Sequence, residues 1–178
     1  MAFDTPPPLT DSDYSILLMT QADRFGLIAA AGDRRIWAGH PAAERYRPEV
    51  FEPYFDFLVS AGGAVTLRKG DEIIGCSRFY PVPDQPDAIG IGFTFITCQH
   101  WGGSANRAIK TLMTNHAFTQ VPEVWFHIAP TNLRSQKATG KLGATFEYQA
   151  NLDLGTGPTD WMCYRLKPSA EWLRTRDQ

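Results

Sequence analysis

Cysteine is scarce in this chain and its few copies are scattered: Cys76, Cys98 and Cys163 among 178 residues. No CxxC pair and no Cys/His spacing of the metal-ligand kind occurs. That argues against a zinc site or a disulfide framework and points to a reduced compartment. An excess of charge of one sign is missing too. The net charge of -2 gives no basic surplus for nucleic acid. No apolar run reaches the length of a membrane span. The opening stretch, Met1 to Pro8, has neither the basic nor the apolar region of an export signal. The expectation is a cytoplasmic protein with no metal, no nucleic-acid partner and no membrane partner. The rest of the composition is ordinary, with 43% hydrophobic and 20% charged residues. A chain of this size buries a full core as one domain.

Periodicity divides the chain into short elements. Pro6-Pro7-Pro8 joins neither a helix nor a central strand, so residues 1–11 read as an extended N-terminal arm and residues 12–178 as a single domain. Tyr14–Thr20 reads as a strand and Asp23–Ala31 as a helix. Arg47-Pro48-Glu49 opens a second helix. Its Val50, Tyr54, Phe55, Leu58 and Val59 form an apolar stripe, and Gly62-Gly63 ends it. Ala64–Arg68 and Glu72–Tyr80 form a hairpin about Gly70-Asp71. Pro81–Pro86 reads as a loop. Ala88–Thr97 is apolar on both faces, as a central strand is. A helix from about Asn106 to Phe118 follows, then a strand at Val121–Ile128, a helix at Thr131–Leu142 and strands at Thr145–Gln149 and Trp161–Leu166. The tail from Pro168 to Gln178 reads as a short helix. The fold class is α+β (α/β three-layer), with hairpins first and a right-handed strand–helix–strand crossover after them.

Chemistry concentrates at Gln99-His-Trp-Gly-Gly-Ser-Ala-Asn-Arg107, between the central strand and a helix. Backbone N–H groups at a helix start lack intrahelical partners, and the macrodipole adds partial positive charge there. Together they suit a phosphate. Gly102 and Gly103 let the backbone curl close to it. By itself the segment is equally well read as a plain turn. It is neither the dinucleotide fingerprint nor a P-loop.

Read together with Asn132-Leu-Arg-Ser135 and Lys141-Leu142-Gly143, the segment resembles the GNAT acetyltransferase superfamily. There a Gln/Arg-x-x-Gly-x-Gly/Ala motif precedes the coenzyme-binding helix, and an Asn-x-x-Ser/Ala motif starts the next one. Here these are Gln99-x-x-Gly102-x-Ser104 and Asn132-x-x-Ser135. The resemblance runs from about Ser12 to Lys167. Trp101-Gly102 with Asn132-Leu-Arg-Ser135 is most similar to the RimJ/RimL branch, which acetylates protein N-termini and includes members acting on small amines. The chain departs from the pattern at Ser104, at Ala144 and at Thr139, where many members carry a tyrosine acid.

The resemblance implies a mixed, mostly antiparallel twisted sheet with splayed central strands flanked by helices. It implies acetyl-coenzyme A as co-substrate and an amine acceptor, either a small molecule or a protein N-terminus. A homodimer is allowed. Phe95, Ile96 and Thr97 would hold the pantetheine arm through main chain. Gln99, Trp101, Gly102, Gly103, Ser104, Ala105, Asn106 and Arg107 would form the pyrophosphate loop. Asn132 and Ser135 would lie near the pantetheine, with Ser135 preferred as proton donor to the leaving thiolate. For the base, Asp153 is either an acid of the site or a solvated loop acid, and His127 either faces the cleft or is a satisfied core histidine. Trp37 and Tyr46 would border the acceptor pocket. Two rival readings stand beside acetyl transfer: a coenzyme A-binding sensor module, and a transferase for a longer acyl chain.

Overall fold

The computed structural model describes residues 6–11 and 13–170. The expected tail helix lies mostly outside these residues. One eight-stranded sheet runs through the fold in the order β1-β2-β3-β4-β5-β6-β8-β7. Its strands are β1 (Leu9–Thr10), β2 (Tyr14–Leu18), β3 (Ala64–Lys69), β4 (Glu72–Val82), β5 (Gln85–Ile96), β6 (Val124–Ile128), β7 (Thr145–Asp153) and β8 (Pro158–Leu166). Among the described residues, four helices cover it: α1 (Arg24–Ala31), α2 (Pro48–Ala61), α3 (Ala105–Phe118) and α4 (Leu133–Gly140). Every neighbouring pair is antiparallel except β5 and β6. The mixed, mostly antiparallel sheet flanked by helices is thus the expected fold class.

Apolar residues split between the two faces. Ile109, Met113 and Ala117 of α3 pack with Ile89, Ile91, Val124 and Phe126. Leu27 of α1 and Phe51, Phe55 and Leu58 of α2 pack on the opposite face with Trp37, Cys76 and Phe95. Each Leu, Ile, Val, Phe or Met side chain among them contributes roughly 1.5–3 kcal/mol. The buried stripe of α2 starts at Phe51, not at the expected Val50, which is 38% exposed. Phe51 takes the inner position because its ring meets Trp37 and Phe95 edge-on or tilted. Gly63 admits no side chain, since a Cβ there would lie 2.2 Å from the Phe79 carbonyl oxygen.

The parallel pair decides where a site forms. β5 and β6 are joined only at Ile89↔Val124 and Gly90↔Trp125. Past those residues β5 stays bonded to β4 as far as Ile96. β6 stays bonded to β8 as far as Ile128. The two half-sheets therefore diverge and leave a V-shaped gap with unpaired strand edges inside it.

Candidate functional site

The segment 98–104 lies at the mouth of the V. Cys98–His100 makes a single 3-10 turn. Trp101 then donates its indole N–H to the Ile96 carbonyl (2.9 Å), and the Arg134 guanidinium of α4 lies 4.2 Å above its ring. Arg134 also donates to the Ile36 carbonyl (2.8 Å), so one side chain ties the loop, α4 and the segment after α1 together. Gly102 has φ +73°, the left-handed region that glycine tolerates. A Cβ on Gly102 or Gly103 would meet nothing within 4 Å, so the loop surface is open. The first closed bond of α3 runs from the Ala108 N–H to the Ser104 carbonyl (2.8 Å). Among the described residues, the N–H groups from Gly102 to Arg107 have no backbone acceptor. Ala105 is buried, whereas Gln99, Ser104 and Arg107 are exposed and Asn106 is half-buried. The result is a row of free donors at the positive end of a 14-residue helix.

Inside the V, β5 is bulged. Cys76 faces Phe95 and Arg78 faces Gly92, so Ser77 stands opposite two residues, Phe93 and Thr94. Phe93 has φ 55°. Its carbonyl accepts from the Tyr54 hydroxyl at 3.3 Å. Thr94 points to the α3 face, where its hydroxyl meets Ser77 Oγ (2.7 Å) and Lys110 Nζ (2.8 Å). On the other face the Tyr80 ring lies across β5 over Gly90 and Gly92; a Cβ at Gly90 would fall 2.3 Å from that ring. The Tyr80 hydroxyl thereby reaches His127 Nδ1 on β6, 2.8 Å away across the V. His127 Nε2 is buried with no partner among the described residues. Burial pushes the His127 imidazole down to about 4, so it is neutral at pH 7.

Residues 16–145 match the family model for the acetyltransferase (GNAT) domain. The chain belongs to the GNAT acetyltransferase family. Solved structures share the fold. A candidate acetyltransferase from T. thermophilus gives a TM-score of 0.75 at 21% identity, covering 99% of this chain and 96% of that one. A GCN5-related N-acetyltransferase from Brucella melitensis gives 0.73 at 15%, covering 92% and 80%. Mycobacterium smegmatis RimJ in complex with CoA-disulfide gives 0.65 at 14%, covering 96% and 92%. No curated protein matches the chain significantly in sequence.

On this GNAT scaffold the residues singled out in the sequence fall into groups. Phe95, Ile96 and Thr97 line the β5 arm of the V, with the Phe95 side chain in the α2-face core. The Thr97 N–H donates to Ile74, while its hydroxyl is buried without a partner among the described residues. Asn132 caps α4, its Oδ1 accepting from the Ser135 N–H (3.2 Å); Ser135 is half-buried and Thr139 buried. Trp37 is a core residue, 3% exposed, with its indole N–H on the Ala31 carbonyl. Tyr46 is half-buried and accepts from Arg47. Asp153 is exposed at the β7–β8 tip, where one oxygen accepts from the Gly155 N–H (2.7 Å) and the Gly157 N–H (3.0 Å). That gives its carboxylate a turn-forming role. Sequence reasoning misses Tyr80, Phe93 and Lys110. Only Tyr80 has a signal, the Gly90-x-Gly92 pair within a strand, which marks a close approach.

Proposed function

We propose that this GNAT domain is an acetyl-coenzyme A-dependent N-acetyltransferase of the RimJ/RimL type that acetylates a primary amine, a protein N-terminus or a small amine, by direct attack in a ternary complex. The observation that carries the reading is the V between β5 and β6 with the free N–H row at its mouth. That pairing fits a ligand with a pyrophosphate at one end and an extended amide-containing arm at the other. The unpaired edge of β5 past Gly90 offers main-chain groups to such an arm. The open Cβ positions at Gly102 and Gly103 leave room for phosphate oxygens. The RimJ complex with CoA-disulfide supports the same assignment.

Acetyl-coenzyme A, when bound, supplies the thioester whose acetyl group passes to the amine. The loop from Gln99 to Arg107 holds the phosphates, with Trp101 fixing its shape. Phe95, Ile96 and Thr97 hold the arm through main chain, and Asn132 fixes the start of α4. Ser135 offers its hydroxyl to the departing sulfur. The acceptor approaches from the α1/α2 face, past Phe57, Tyr80, Phe93 and His127, with Trp37 and Tyr46 supporting that wall. His127 does not act as a strong base. An imidazole near 4 lies roughly four units below a free α-amine, and at about 1.36 kcal/mol per unit the proton transfer is uphill by about 5 kcal/mol. The neutral ring orients the amine, and water carries its proton away.

Isothermal titration with coenzyme A, followed by thiol release against an amine panel, tests the reading. Micromolar binding and amine-dependent thiol release are expected. No affinity for coenzyme A would defeat it, and binding without release from any amine would leave a sensor module.

A further inference from the structure

Lys110 is on the sheet-facing side of α3 and is 7% exposed. Its Nζ donates to Thr94 Oγ1 at 2.8 Å and lies 5.6 Å from the centre of the Phe126 ring. Thr94 is on β5 and Phe126 on β6, both past the last residues that join those strands. The ammonium therefore bridges the two arms of the V on the α3 face. No carboxylate pairs with it among the described residues. Its neighbours are uncharged: Thr94 continues to Ser77 and the Gly92 carbonyl. Cys76, across the sheet, is the titratable group that acts on it, and burial keeps that thiol neutral by raising it to about 12.

A buried ammonium without a counter-ion is strongly unfavourable, and methionine would fill the same volume without that cost. Burial pushes the lysine down to about 7, which reports the same penalty, and an anion formed beside it would favour its protonated form. The fold gains one hydrogen bond and one aromatic contact from this amine, too little to offset the burial of a charge. An anion generated in the cleft would gain a great deal, because the surroundings screen it poorly.

We propose that Lys110 is a catalytic residue that stabilises the coenzyme A thiolate as the thioester breaks. The inference rests on the acetyl-transfer reading. The acceptor nitrogen forms the new C–N bond. The C–S bond breaks with its electron pair on sulfur, and the proton given up by nitrogen finally neutralises that sulfur. Lys110 keeps its own proton and holds the charge in the interval, while Ser135 offers a hydrogen bond from α4. The same ammonium acts on the free thiol of bound coenzyme A, so the two titrate as a pair.

The test is the ultraviolet absorbance of the thiolate, followed against pH for coenzyme A bound to the wild type, to Lys110→Met and to Ser135→Ala. An opposite charge within a few ångströms lowers a pKa by about 1–3 units. The wild type and Ser135→Ala should show that drop relative to free coenzyme A, and Lys110→Met should lose it while still binding. Turnover of Lys110→Met should fall about 10- to 100-fold with KM for acetyl-coenzyme A little changed, and its Tm should hold or rise. A bound thiol with the same pKa in wild type and Lys110→Met overturns the inference alone. So does a marked fall in Tm, which would make the lysine structural. Acetylated Lys110, found by mass after incubation with acetyl-coenzyme A, would make it an acceptor and overturn it too. No binding of coenzyme A to the wild type overturns the acetyl-transfer reading beneath it.

Discussion

Gly102 gives the sharpest test of the phosphate cradle, because the structure separates two effects of replacing it. Its φ of +73° is closed to proline, whose ring holds φ near -65°. Proline also deletes the N–H. Gly102→Pro thus removes one charge-assisted donor and turns the next peptide away, so two bonds of about 1.5–3 kcal/mol each are at risk. The expected loss is about 3–6 kcal/mol, or roughly a hundred- to ten-thousand-fold in Kd for coenzyme A. Gly102→Ala keeps the N–H, and its Cβ would meet nothing within 4 Å. Only the left-handed backbone is penalised, by about 1–2 kcal/mol. Gly103 lies outside the positive-φ set, so Gly103→Ala should cost less than either. Isothermal titration on variants checked for folding by circular dichroism should give the order Gly102→Pro, Gly102→Ala, Gly103→Ala from weakest binding to strongest. Unchanged affinity in a folded Gly102→Pro protein would refute the cradle. A Gly103→Ala loss as large as that of Gly102→Pro would refute the donor argument.

Two other outcomes follow from the site. His127 is held down to about 4, against an ordinary value of 6.5, so the folded state binds fewer protons than the unfolded chain between those pH values. Its contribution to stability is present above pH 6.5 and is lost as the pH falls through about 4. The loss is about 3 kcal/mol, at roughly 1.36 kcal/mol per unit. Urea midpoints from pH 7 to 4 should fall steeply in the wild type and less steeply in His127→Leu, where His40, also lowered to about 4 by burial, retains its share. An equal slope in both proteins would refute this. Asp153→Ala should lower stability by about 1 kcal/mol through loss of the two turn bonds, read as a drop in Tm. A fall in turnover beyond about 100-fold, measured where the variant is folded, would instead make Asp153 the base.

Legibility in the sequence tracks the range of the physics involved. The hairpin at Gly70, the start of α2 at Pro48 and the loop before α3 follow from local preferences and are readable. The strand is expected to end at Gln149, before the loop around Gly155-Thr-Gly-Pro, yet β7 runs on to Asp153 as an exposed edge strand. The prolines of Pro81–Pro86 predict a loop, but β4 continues to Val82 and β5 resumes at Gln85. Pro81 is tolerated because its nitrogen falls on the β3 side of β4, past the last paired residue Ala64, so no ladder bond is lost. In the site, the glycines and the cap at Asn132 carry local signals. Lys110 carries none. It flanks the Ile109–Met113 stripe, and only the parting of β5 from β6 turns its amine into a cleft.

Phe93 is the extreme case, since nothing in Ala88–Thr97 marks a large aromatic residue for a positive φ. Strand preferences make the opposite prediction, which allows a decisive comparison. In a regular strand, glycine is less stable than alanine by about 0.5–1 kcal/mol. At Phe93 both substitutions lose the ring contacts to Tyr80, Phe57 and Arg78. Phe93→Gly recovers the left-handed penalty of about 1–2 kcal/mol, while Phe93→Ala keeps it. The net order is therefore inverted, with Phe93→Gly more stable than Phe93→Ala by about 1 kcal/mol and both below the wild type. Chemical denaturation of the three proteins reads that order directly. If Phe93→Ala proves the more stable variant, residue 93 has ordinary strand geometry. The two-against-one bulge opposite Ser77 would then be wrong, and with it the placement of Thr94 over Lys110.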